Sequence, residues 1–211
     1  MSSTFLYREE IRFMQKEVKG QLKPVNYVYH VGQYLPDWHP WENYKDFFVG
    51  DKRTNGCREI MAIELPWLIE TFGAVKRVSV MHDKMSQLNV EYDDNYMIQL
   101  VHENGNKGVI VVDIVCPRAV RNLEVYSEDT YMSWNGRPDG LKKYDRKKDD
   151  IENIMLYDYV EHKSGYQSTI IENAYADEIE EFLDVIAGKS AQTYGFEKDA
   201  KVLEWLDCIE G

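Results

Sequence analysis

Apolar residues recur along this chain with two periods. Between residues 4 and 20, Phe5, Ile11, Phe13, Met14 and Val18 stand among charges at near-helical spacing, which predicts a short amphipathic helix stopped by Gly20 and Pro24. Residues 25–34, VNYVYHVGQY, are rich in branched and aromatic side chains and predict a β-strand. Residues 57–72 read as a helix that is apolar nearly all round, so burial on both sides is expected. Pro66 within it should kink it or begin a second helical piece, and Gly73 stands where a C-terminal cap would.

Alternating runs follow. Residues 74–83, 88–103 and 109–115 read as strands, and NGNKG at 104–108 joins the last two as a hairpin turn. Residues 118–129 and 130–136 predict another strand pair, turning near Glu128 and Asp129, with a further turn from Gly136 to Gly140. The charge run KKYDRKKDDIEN at 142–153 predicts a solvated loop or an edge strand. Two amphipathic helices follow, at 174–189 and 196–210. Tyr175, Ile179, Phe182 and Ile186 should form the buried stripe of the first, and Ala200, Leu203, Leu206 and Ile209 that of the second. The order of elements predicts an α+β fold, an open and largely antiparallel sheet with helices packed on one face, in a single domain over residues 1–211.

Composition narrows the function classes. A length of 211 residues with 44% apolar and 13% aromatic content suits a globular protein with a sizeable core. Lys and Arg number 25 against 37 Asp and Glu, and the net charge of −12 disfavours nucleic acid or an anionic membrane as partner. No segment reaches the ~18 consecutive apolar residues of a membrane span, and the charged N-terminal stretch lacks a signal-peptide core. Cys57, Cys116 and Cys208 are widely spaced without a CxxC, which predicts three buried free thiols in a reducing, cytoplasmic setting. His30, His39, His82, His102 and His162 are scattered without ligand spacing, so no metal site is expected. The sequence has no GxGxxG after a strand, no P-loop, no GxSxG and no HExxH.

The densest candidate chemistry is GQYLPDWHPWE, where Tyr34, Asp37, Trp38, His39 and Trp41 fall within eight residues. Aromatic faces beside an acid and an imidazole suit a pocket for a polar ring. His39 is a candidate general acid or base, and the alternative is a backbone partner within its loop. Tyr34, Trp38 and Trp41 are candidate stacking surfaces for a sugar ring or, alternatively, core aromatics. Asp37 is a candidate diol ligand or the acid of an Asx-turn. Glu59 stands in the first turn of the apolar helix, as a second catalytic candidate or as a partner of the helix dipole. Arg53 and Asn55, in the loop DKRTNG before that helix, complete the candidate substrate-binding set.

The run GCREIMAIELPWLIETFG followed by VKRVSV resembles the C-terminal half of the glucose-fructose oxidoreductase / inositol dehydrogenase (Gfo/Idh/MocA) family. The opening REEIRFMQKEVKGQL and the closing YADEIEEFLDVIAGKSAQTYGFEKDAKVLEWLDCIE agree with it. The resemblance implies a domain of dihydrodipicolinate-reductase-like C-terminal type, the substrate-binding and dimerisation part of an NAD(P)-dependent oxidoreductase for a sugar or sugar derivative. It implies NAD or NADP in the complete enzyme, none on this chain alone, and a separate Rossmann domain or subunit as partner. It also implies a homo-oligomer joined through the open sheet face. The family's Asp and His, four apart on one helical face, fall at Glu59 and Ile63, and a further Asp falls at Pro66. Only Glu59 keeps an ionisable group. That departure supports an alternative, a non-catalytic binding or assembly module with the family fold, and the chain by itself is expected to be inactive.

Overall fold

A computed structural model describes residues 3–161 and 170–211 of the chain. After a single 3-10 turn at Thr4–Tyr7, helix α1 (Glu9–Lys19) leads into β1 (Asn26–Gly32). A long connection with two further short turns precedes α2 (Gly56–Phe72). Then come β2 (Val75–Asp83), β3 (Asn95–His102), β4 (Lys107–Asp113), β5 (Val120–Tyr126), β6 (Tyr131–Trp134), β7 (Lys142–Asp145) and β8 (Asp150–Asn153). Helices α3 (Glu172–Ile186) and α4 (Phe196–Glu210) follow. The α+β class expected from the order of elements is the one found.

The eight strands form one sheet in the order β2-β3-β4-β1-β5-β6-β7-β8. All neighbours are antiparallel except β1 and β4, which run parallel with Val28 opposite Val109. Alternation decides the two faces. Tyr27, Tyr29 and Val31 of β1, Ile98 and Leu100 of β3, and Ile110 and Val112 of β4 enter one core with α2. On the opposite face Val28, Met97 and Val109 remain exposed.

Helix α2 is buried on both sides because it lies against the sheet and also packs on α1 and α4. It runs as one continuous element through Pro66, so no second piece forms there. The Asn55 side chain caps its start by accepting the Arg58 amide, and Gly73 ends it at φ 106°, a conformation open to glycine. Close approach governs Gly108, where an added Cβ would lie 1.9 Å from the Tyr27 ring. That ring stacks on Phe72 at 3.9 Å.

Several expectations need correction. The strand expected from residue 88 begins only at Asn95, because the buried Asp94 side chain accepts the amides of Met85 and Ser86 and shapes the preceding stretch as a loop. The charge run meets the edge-strand expectation rather than departing from it, forming the β7–β8 hairpin at the sheet edge. In α4 the buried apolar positions are Val202, Leu206 and Ile209, while Ala200 and Leu203 face outward. In α3 the whole expected stripe is exposed: Tyr175, Ile179, Phe182 and Ile186 are 46–68% accessible. Only Ala174 of that helix is buried, and its polar side is held to the N-terminal turn by Thr4 donating to Glu178 at 2.6 Å. Amphipathic spacing marks an apolar face but does not say whether this chain supplies its cover. Of the thiols only Cys57 is buried; Cys116 is half-buried and Cys208 exposed.

Candidate functional site

Where β1 ends, a cavity of about 120 Å³ opens between that strand, α2 and the start of β5. Val31, Gly32 and Gln33 supply one wall, and Ile60, Ile63 and Glu64 of α2 a second. Ala119, Val120 and Arg121 supply a third, with Trp38 and Asn135 at its margin. The spacing i, i+3, i+4 puts the three α2 residues on one helical face. The Trp38 indole is fixed by donating to the Gln33 carbonyl at 3.1 Å.

The polar centre of this site is a buried network. Arg121 Nη2 donates to Glu64 Oε1 at 2.6 Å, and its Nε donates to the same oxygen and to the Tyr29 hydroxyl. Glu64 Oε2 accepts Tyr29 Oη at 2.7 Å and Trp67 Nε1 at 2.6 Å. With four donors on two oxygens and 1% exposure, the Glu64 carboxylate has no lone pair left for a substrate proton. Burial works against the Arg121 charge, but Glu64 and Tyr29 outweigh it and hold the guanidinium above its ordinary value. Burial and the Glu64 charge push the Tyr29 phenol well up, so it stays a neutral donor. The Phe5 ring lies 4.5 Å beneath the Arg121 guanidinium, linking the network to the N-terminal turn.

The structure separates the residues singled out from the sequence. Trp38 lines the cavity. His39 does not: it pairs through Nδ1 with Glu42, stacks on Trp41 at 5.1 Å and touches Phe47 at 4.3 Å. Trp41 is 78% exposed, and Tyr34 and Asp37 also face outward from the loop. Glu59 is half-buried on α2 beside Ile60, and burial raises its carboxyl above the usual range. His39 and Glu59 each stand one residue from a lining residue, Trp38 and Ile60.

Arg53 and Asn55 line a second, wider cleft of about 710 Å³ between the start of α2 and the end of α4. Asn55 is committed there: it caps α2 and donates to Glu210 at 2.7 Å. Arg58 bridges to Asp207 at 2.7 Å and to Glu210, and His82 pairs with Asp93 while stacking on Tyr96. These bonds tie the two helix ends together and leave the cleft a mixed-charge surface.

Glu64, Arg121, Gln33 and Asn135 were not foreseen from the sequence. One signal was available for Glu64, an acid inside the apolar run MAIELPW. Arg121 sits in an alternating strand, where nothing local marks it out.

No family model matches the sequence, and no match is found among curated proteins. Solved structures do match in fold. An oxidoreductase domain protein from Kribbella flavida superposes with a TM-score of 0.77 at 16% identity, covering 98% of this chain and 61% of that one. Levoglucosan dehydrogenase in complex with NADH and L-sorbose gives 0.76 at 12% identity, covering 98% and 61%. An inositol dehydrogenase homologue from Azotobacter vinelandii with NAD+ gives 0.72 at 11% identity, covering 98% and 60%. The chain thus spans about three fifths of the length of these structures. Neighbours of this kind are those the motif resemblance led us to expect, and the mixed sheet with its four helices has the fold of the C-terminal domain of such oxidoreductases.

Proposed function

We propose that this chain is the substrate-side domain of an oxidoreductase acting on a sugar or sugar derivative, completed by a separate cofactor-binding domain. The carrying observation is the cavity at the end of β1, which puts an apolar wall and Trp38 beside a buried Arg121–Glu64 pair. An apolar wall suits the C–H face of a sugar ring, and fixed polar groups orient its hydroxyls. At about 120 Å³ the cavity is smaller than the ~300 Å³ at the low end for small-molecule sites, as expected of a pocket lacking one wall. Solved neighbours in complex with NADH and levoglucosan, and with NADH and L-sorbose, support the substrate class by analogy of fold.

The described residues do not fit a dinucleotide themselves: no strand among them passes through a glycine-rich turn into a helix. NAD(P) therefore belongs to the completing domain, and no step through it is derived. In this reading substrate contact falls to Trp38 and the rest of the Tyr34–Trp41 loop. Proton transfer falls to Glu59, which neighbours the lining residue Ile60, and to His39, which follows Trp38 in the chain and must turn inward from its stack on Trp41 to serve. The exposed α3 stripe takes the completing domain, because its apolar side chains are left uncovered by the described residues. A second copy of the chain takes the opposite sheet face at Val28, Met97 and Val109.

A second reading, a non-catalytic binding or assembly module, is favoured by one observation. Ile63 brings hydrocarbon to the cavity at the position of the family's His, and the one carboxylate among the described lining residues is fully occupied.

A thermal-shift screen of the chain against neutral sugars, sugar acids and NAD(P)H separates the readings. The substrate-side domain gives a rise in melting temperature with a sugar-type ligand and none with NAD(P)H. A shift with NAD(P)H alone overturns the division of labour, and no shift with any ligand supports the assembly module.

A further inference from the structure

Arg121 is the one cation among the described residues lining the cavity at the end of β1, and its environment decides what ligand it can hold. A guanidinium carries five N–H donors. Nε and one N–H of Nη2 are committed to Glu64 and Tyr29, and the remaining three have no acceptor among the described residues. The side chain is 19% exposed, and the Phe5 ring backs it at 4.5 Å, so its freedom to turn away is small.

Its charge is already answered. Glu64 lies at 2.6 Å, is 2% exposed in its side chain, and is itself locked by Tyr29 and Trp67. A carboxylate or phosphate entering the cavity would meet the Arg121 charge and, just behind it, the Glu64 charge. In a poorly solvated site those two contributions oppose each other at similar range. Hydroxyl or carbonyl oxygens meet no such opposition, since they need only N–H donors, and a locked guanidinium presents these with little ordering cost.

Resting on the reading of this cavity as a sugar site, we propose that Arg121 is a specificity-determining residue. Its free N–H groups bind uncharged hydroxylated ligands, and Glu64 is a positioning residue whose charge excludes the corresponding sugar acids. The site thereby discriminates by charge compensation: repulsion from Glu64 offsets the attraction to Arg121, so the desolvation of an entering anion goes uncompensated.

Dissociation constants for glucose and for glucuronate, followed at pH 7 through the Trp38 indole N–H signal, test this. The unmodified chain should bind glucose at least about tenfold more tightly than glucuronate. Glu64→Gln keeps the shape and one acceptor oxygen but removes the charge, and should reverse or erase that preference. A structural role alone would not move the ratio. Arg121→Lys keeps the charge but loses the fork, and should weaken glucose binding by about tenfold. Tighter binding of glucuronate by the unmodified chain overturns the proposal without any variant, as does an unchanged ratio in folded Glu64→Gln. Binding of either sugar with the wrong preference leaves the sugar-site reading standing. Failure of both sugars to perturb the Trp38 signal overturns the reading and the proposal together.

Discussion

Glu64 and Arg121 lie 57 residues apart in the chain, yet Nη2 of the arginine is 2.6 Å from Oε1 of the glutamate. The contact joins the middle of α2 to the start of β5 beneath the cavity. Such a pair contributes little net stability relative to apolar residues, but losing one member leaves a buried charge uncompensated.

Arg121→Met should therefore cost about 3–5 kcal/mol in urea unfolding at pH 7. The double variant with Glu64→Leu should recover most of that loss. An additive double variant would show that the two charges are not coupled.

His102 makes stability fall in acid. Its Nδ1 bonds the Gly73 carbonyl at 2.6 Å and its Nε2 bonds Tyr27 Oη at 3.0 Å, so the neutral ring donates at one nitrogen and accepts at the other. Burial lowers its basicity below the ordinary value. The unfolded chain then takes the proton first. Stability is complete above about pH 6.5 and is lost as pH falls from there towards the depressed folded value. Urea unfolding midpoints between pH 7.5 and 5.5 should fall less steeply in His102→Gln than in the parent chain.

The outer face of α3 should be neutral for the fold of the chain itself. Ile179→Lys and Phe182→Glu, at positions 60% and 63% exposed, should each shift unfolding by no more than about 0.5 kcal/mol. Leu206→Ala in the buried face of α4 should cost about 2–5 kcal/mol. A large loss from the α3 changes, measured by chemical denaturation, would show that the stripe is covered within the chain.

The cysteines should differ in reactivity. Burial and the nearby Asp113 and Asp94 carboxylates push the Cys57 thiol well up, whereas Cys208 is exposed. Iodoacetamide at pH 8 should label Cys208 in the native chain and leave Cys57 untouched until denaturant is added. Mass spectrometry of the digested protein reads both sites.

What the sequence determined by itself was local in origin. Branched and aromatic content in residues 25–34 and alternation in 109–115 marked strands, NGNKG marked the hairpin between β3 and β4, and the apolar run after Asn55 marked α2 with both sides buried. Period and turn chemistry act over a few residues, so they are legible without a partner. Tertiary structure decided the rest. The loop from Tyr34 to Trp41 looked like one cluster, but Trp38 turned to the cavity while His39 and Trp41 stacked together away from it. Arg121 looked like any strand residue until β5 paired with β1 and set it against Glu64. The stripe on α3 was legible as apolar, yet the residues packed around it left it open. Side-chain partners and burial depend on contacts between distant segments, and those follow from how the whole sheet and its helices assemble.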